Sequence, residues 1–240
     1  GILRAYQGAI NVLSLAANHP QLSEVRAKKL KPKHTVMSTK VSTVLDILRR
    51  HPNRHPIIST RSVQMIHILR YHLRRHLRRR PIFVFTGEQS VAAREKVLRE
   101  WRASTTRAPT VLLLSMLAGG QGLTLVESDL MILLDAHSHP NPQYEQQTIH
   151  RICRRGQKSK TVDVIHVGVQ GTMDEVLRET HENKRSRSSL MMTDQQGSGG
   201  PRPVGAGVGV NIPKAKSMMS LIRRGWKTER PRWIREAVQN

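Results

Sequence analysis

Five short apolar runs, set among longer stretches of helical periodicity, constrain the fold of this chain more than any other feature. The runs cover residues 56–60, 82–85, 111–114, 130–134 and 162–167. After the first run, Val63, Ile66, Leu69, Leu73 and Leu77 fall on one helical stripe, and residues 90–102 read as a charged amphipathic helix. Parallel strands need crossover connections of a dozen residues or more and are buried on both faces, so they read as continuous apolar runs between helices. The pattern predicts an α/β fold: a three-layer parallel sheet with helices on both faces.

Further helices are expected over 1–22, with a stop at Asn18-His19-Pro20, from about Lys40 to Arg50 behind a Ser38 cap, over 143–154, and over 172–184 from Thr172. The predicted organisation is an opening helix and basic linker over 1–37, the α/β lobe over 38–184, and a tail over 185–240. That tail is rich in Gly, Pro and Ser over 195–209 and basic beyond, and it reads as flexible. The chain starts at Gly1 inside a helical pattern and reads as part of something longer.

Charge narrows the partners. Forty Lys and Arg face 17 Asp and Glu, a formal net charge of +23. A surplus of this size implies a polyanion, with nucleic acid the first candidate and an anionic membrane surface the second. No apolar run reaches the roughly 18 residues that would span a bilayer; nucleic acid is the expected partner rather than a membrane, with a membrane-surface role for the basic helix the weaker alternative. The single cysteine, Cys153, allows no intrachain disulfide and no cysteine-based zinc site. His72 and His76 lie four apart on one helix among arginines, with no third ligand in view, and no metal site is expected.

In sheets of this kind function gathers in the loops after the strands. Those loops are Ser59-Thr60, Thr86-Gly87, Ser115 to Gly122, and Asp135 to Pro142. The cluster Gly119-Gly120-Gln121-Gly122 either lets backbone amides approach a phosphate or ribose, or makes a tight turn; the glycines alone allow both. No Gly-Lys-Ser/Thr loop occurs anywhere in the 240 residues. Asp135 closes an apolar strand and is read as a buried strand end rather than a metal ligand. Arg151 and Arg154, three apart before Gly156, are expected on one helix face, where two guanidiniums suit either a transferring phosphate or a solvated helix end. Arg70 to Arg80 holds six arginines around a leucine stripe, a basic face able to meet phosphates.

Taken in order, these segments resemble the C-terminal half of the Swi/Snf family of helicase-like ATPases in helicase superfamily two. The resemblance spans roughly residues 9–184. Leu13 to Leu22 is similar to the family's "NHPxL" lead-in, and Ser38 to Lys40 to its "SxK". Leu113 to Leu125 resembles motif V, with its AGGxGxxL core, and Gln147 to Gln157 resembles motif VI, QxxxRxxRxGQ. Thr86-Gly87 with Arg94, and Gly171-Thr172 with Glu175, match further steps. The chain departs from the family where "DxxWNP" becomes the longer Asp135 to Pro142 without tryptophan, and at Cys153 and Arg155 in motif VI. Those departures suit a divergent lineage, a viral one included.

The resemblance implies a second RecA-like lobe. It implies arginine fingers at Arg151 and Arg154, and ATP contacts at Gly120, Gly122, Gln147 and both arginines. It also implies DNA contacts at Ser59, Thr60, Thr86, Gly87, Arg94 and Ser115. ATP and Mg2+ would be held mainly by a first, N-terminal RecA-like lobe in the same or a partner chain. The expected activity is ATP-dependent translocation on double-stranded DNA, in the nucleus or another DNA-containing compartment, that of a virus-infected cell included, with this chain inactive alone. The competing reading is a non-catalytic nucleic-acid-binding module that has lost its ATP-binding lobe.

Overall fold

Five strands pair in parallel throughout, in the order β2-β3-β1-β4-β5. They are β1 (Ile57–Thr60), β2 (Ile82–Phe85), β3 (Val111–Ser115), β4 (Leu130–Leu133) and β5 (Asp163–His166). The computed structural model describes residues 2–23, 35–118, 122–135 and 143–182. The linker residues 24–34, Gly120 and the tail beyond 182 lie outside them. The register is regular, with Ile58 opposite both Leu113 and Ile132.

Helices α1 (Ile2–Asn18), α2 (Thr39–Arg50), α3 (Val63–His76), α4 (Val91–Thr105) and α5 (Gln143–Ile149) connect or flank the strands. Serine starts three of them. The Ser38, Ser62 and Ser90 hydroxyls accept from the N–H three residues on, at Val41, Met65 and Ala93. Each satisfies an amide that the helix leaves without a partner.

Alternation along the strands splits the core into two layers. Ile58, Leu113, Ile132, Val84 and Ile165 face α2 and α3, packing with Val44, Leu48, Ile66, Leu69 and Leu73. Ile57, Leu112, Leu114, Met131 and Leu133 face the other way, onto Trp101 and Leu98 of α4 and Ile149 and Ile152 after β4. Right-handed crossovers produce this arrangement. The chain passes outward from β1 to β2 over α3 and returns to β3 over α4, so the two helices land on opposite faces. The three-layer parallel α/β fold expected from the apolar runs is the fold found.

One helix is shorter than its sequence pattern. The spacing predicts a helix over 143–154, but α5 stops at Ile149. Residues 150–157 continue as tight turns, with Ile152 N–H bonded to the Ile149 carbonyl and Gln157 N–H to that of Arg154. The turns bring the Arg151 carbonyl to the Leu125 N–H at 2.8 Å. A tertiary bond thus wins over helix continuation.

The described residues divide into two units, one ending at Val169 and the other beginning at Gln170. In the second, residues 173–182 are helical. Thr172 starts that helix, its hydroxyl accepting from the Asp174 N–H, while Glu175 accepts from the N–H of Gly171, whose φ is +69°.

Candidate nucleotide and nucleic-acid interface

Because all five strands are parallel, their carboxyl ends open on one edge of the lobe. A buried polar network closes the floor of that edge. Asp135, just past β4, accepts from the Thr60 hydroxyl at 3.0 Å, from the Arg61 N–H and from Asn18 Nδ2. Lys40 Nζ donates to Asn18 Oδ1 at 2.7 Å and to the Leu134 carbonyl at 2.5 Å, with the residue only 1% exposed. Burial pushes the Asp135 carboxyl up, opposed by Lys40, the Arg61 amide and Thr60. Asp135 is therefore a structural acid whose oxygens are occupied by protein donors, as its position at a buried strand end suggested.

Above this floor the two most distinctive segments are joined to each other. The chain leaving β3 turns through Met116 and Ala118, and Gly122 further along has a φ of +104° that suits only glycine. Arg151 Nη2 reaches the Met116 carbonyl at 3.4 Å. Arg154 Nη1 lies 2.8 Å from Thr124 Oγ1 and 3.4 Å from the Gly122 carbonyl. Gln157 Nε2 donates to the carbonyls of Ser128 and Ile152, clamping the turns onto the same loop. Arg102 of α4 adds a bond to the Thr124 carbonyl and an ion pair with Glu127.

The two arginines sit in different environments. Arg151 is half-buried, and loss of water lowers its guanidinium pKa from the ordinary value. Arg154 is exposed, with its planar head steadied at one edge by Thr124. They occupy successive turns after α5, not one helix face: the expectation of a shared helical face is corrected by the early end of that helix. The reordering still brings both to the Gly122 loop.

The remaining sequence candidates divide by depth. Gly87 and Gln147 are exposed, while Ser59, Thr60, Thr86 and Ser115 are buried. The Thr60 hydroxyl is engaged by Asp135, and the Thr86 N–H by Gln89 Oε1. Arg94 turns inward, donating to the Ala118 carbonyl at 3.0 Å and covering the Phe85 ring. Gly120 lies outside the described residues.

The sequence reading gave no role to Arg102 or to the Lys40–Asn18 contact. A signal was present: Lys40 interrupts the apolar stripe of Val41, Val44 and Leu48, and a lysine there needs a buried partner. His72 of α3 is also buried, with Nε2 3.0 Å from Thr35 Oγ1, and desolvation lowers its pKa. Among the described residues no three His, Cys, Asp or Glu side chains converge.

Residues 39–157 match the family described as the helicase conserved C-terminal domain. Two curated relatives are the DNA repair protein RAD5B of Arabidopsis thaliana and the probable global transactivator of Orgyia pseudotsugata multicapsid polyhedrosis virus. The first is 37% identical over 122 residues, covering 50% of this chain and 9% of that protein. The second is 41% identical over 87 residues, covering 35% and 17%. The chain thus spans less than a fifth of either relative. A crystal structure of the C-terminal part of the Fun30 ATPase domain aligns with a TM-score of 0.48 at 19% identity, over 63% of this chain and 46% of that one.

Proposed function

The chain carries the C-terminal, second lobe of a Swi/Snf-type helicase-like ATPase, and from that premise we propose that it is half of an ATP-dependent DNA translocase. The observation that carries this reading is the stitching of the Arg151–Gln157 turns to the Gly122 loop. It leaves the Arg154 guanidinium exposed at the carboxyl edge and Arg151 beside it, half-withdrawn from water. Two such cations suit the charge on a γ-phosphate presented from outside this lobe.

The donor set fits a polyphosphate and does not fit a magnesium site. Among the described residues the edge offers two guanidiniums and Gly122, while Asp135, the carboxylate that follows β4, is buried and engaged by Thr60, Arg61 and Asn18. Mg2+ and most of ATP therefore fall to a first lobe with its own phosphate loop, in the same chain or a partner. Closure of the two lobes would bring Arg154 and Arg151 to the transferring phosphate, with Gly120, Gly122 and Gln147 lining the nucleotide side. Opening would release them and advance the lobes along one strand.

DNA lies along the same edge in this scheme. Gly87 is exposed there and can meet a phosphate closely. The buried Ser59, Thr60, Thr86 and Ser115 hydroxyls act by setting the shape of the loops, and Arg94 by bracing the Ala118 carbonyl. The work site is a DNA-containing compartment, and no helix among the described residues is long and apolar enough to cross a membrane.

In the protein joined to its first lobe, Arg154→Ala should lower DNA-stimulated ATP turnover on the order of 10³-fold or more. Arg154 is exposed, so the melting temperature should hold. Near-normal turnover with intact folding would end the arginine-finger assignment. DNA binding with no ATP turnover in the complete wild-type protein would favour a non-catalytic binding module.

A further inference from the structure

The amino-terminal edge of the sheet, opposite the loops just described, carries an open groove of about 530 Å³. Pro52 after α2 and Pro109 after α4 frame it, and Arg75, Arg78 and Arg79 at the end of α3 supply its charge, with His76 also in the lining. Strands of four or five residues at about 3.3 Å each separate this edge from the carboxyl edge by roughly 15 Å. A contact here is therefore distinct from the motor cleft.

The arginines at this edge have two separate employments. Arg80 is structural: it donates to the Leu48, His51 and Arg54 carbonyls and so closes the end of α2. Arg54 is likewise engaged, with Asp129 and Asp163. Arg75, Arg78 and Arg79 are exposed and have no acidic partner among the described residues. Arg75 makes one long contact to the Tyr71 hydroxyl at 3.5 Å, and Arg78 and Arg79 make no hydrogen bond with any described residue. Arg50 and Arg107 lie on the flanking helix ends, exposed as well.

Satisfying helix ends explains Arg80 and leaves the other three unexplained. A merely solubilising face would carry lysine as readily, yet no lysine occurs between Lys40 and Lys96, while ten arginines fall between Arg49 and Arg80. Arginine is the cation whose planar fork matches phosphate oxygens in pairs.

We propose that this amino-edge groove is a second nucleic-acid site, in which Arg75, Arg78 and Arg79 hold backbone phosphates of a duplex segment lying outside the translocation path. The assignment is independent of the arginine-finger reading. It adds a hold on DNA that does not open and close with the nucleotide cycle.

The test is binding of a fluorescein-labelled 20-base-pair duplex (length set by the probe, about two helical turns) to the 240-residue chain, at salt from about 50 to 300 mM. The Arg75→Ala, Arg78→Ala, Arg79→Ala triple variant should weaken binding on the order of 10²-fold at about 0.1 M salt and lower the salt slope by about 2 to 3. The basic residues beyond 185 act equally in both proteins, so the difference isolates the groove. Replacing the same three by lysine should keep most of the slope. If the triple variant loses its melting transition, the three single variants are read instead, each expected to lower the slope by about 1.

An unchanged slope in folded variants overturns the proposal. So does a polyglutamate probe whose binding is lost in the variant while duplex affinity stays intact, which would assign the groove to an acidic protein segment. Arg154→Ala in the same assay should leave the groove's share of the slope in place, so failure of the finger assignment would be seen separately.

Discussion

Lys40 and Asp135 are the residues on which the carboxyl edge rests. Both are buried, and each faces polar partners: Lys40 on Asn18 and the Leu134 carbonyl, Asp135 on Thr60, Arg61 and Asn18. Removing one member of a buried charged pair strands the other without water, which typically costs about 3–5 kcal/mol. Lys40→Met should therefore lower unfolding stability by roughly that amount in a urea titration, as should Asp135→Leu. The double variant should lose clearly less than the sum of the two, because neither charge is then left alone. Additive losses would show that the two do not act as a pair. The network also ties Asn18 at the end of α1 to the loop after β1, so the opening helix is coupled to the candidate site through these side chains.

The loop after β3 and the turns after α5 behave as one element. Gly122 is its weakest joint chemically: a Cβ there would meet no atom within 4 Å, so space is free, but the φ of +104° is strained for any other residue. Gly122→Ala should cost about 1–3 kcal/mol through the backbone alone. If the loop relaxes toward negative φ, the Arg154–Gly122 and Arg154–Thr124 contacts shift with it. In the protein joined to its first lobe, ATP turnover should then fall by about tenfold or more while duplex affinity changes by less than about threefold, below the roughly eightfold that losing one phosphate contact costs near 0.1 M salt. Equal losses in both would place Gly122 in general stability instead.

This element also marks how far the sequence could be read. The strands were legible because parallel strands buried on two faces leave continuous apolar runs, and the helix starts because Ser38 sits before its stripe. The end of α5 was not legible. The Gln147-to-Arg154 stretch has helical spacing, and what stops the helix is a bond from the Leu125 N–H to the Arg151 carbonyl, made by residues 26 positions apart. For the site, the pairing of the glycine loop with the two arginines could be anticipated from the ordered motifs. The inward turns of Thr60 and Arg94 could not, since their partners Asp135 and Ala118 lie 75 and 24 residues away.

At the scale of the whole molecule, the distribution of charge and the missing chemistry point the same way. The 240 residues hold a surplus of 23 positive charges and no Gly-Lys-Ser/Thr loop. A lobe of this composition has the means to hold a polyanion and lacks the loop that cradles the β- and γ-phosphates of a nucleotide. Binding and hydrolysis should therefore separate. The chain alone should bind duplex DNA, with log affinity falling by about 0.9 per engaged phosphate for each tenfold rise in salt, and should release phosphate from ATP at the buffer rate. Adding a first lobe, linked or as a separate protein, should create turnover that scales with occupancy of this chain. The Arg154→Ala chain should occupy the same first lobe without creating that turnover, and so act as a competitor of the wild type. Hydrolysis by the 240 residues without any first lobe would overturn the division of labour, because the phosphate would then be held by groups on this chain that have no such role in the scheme.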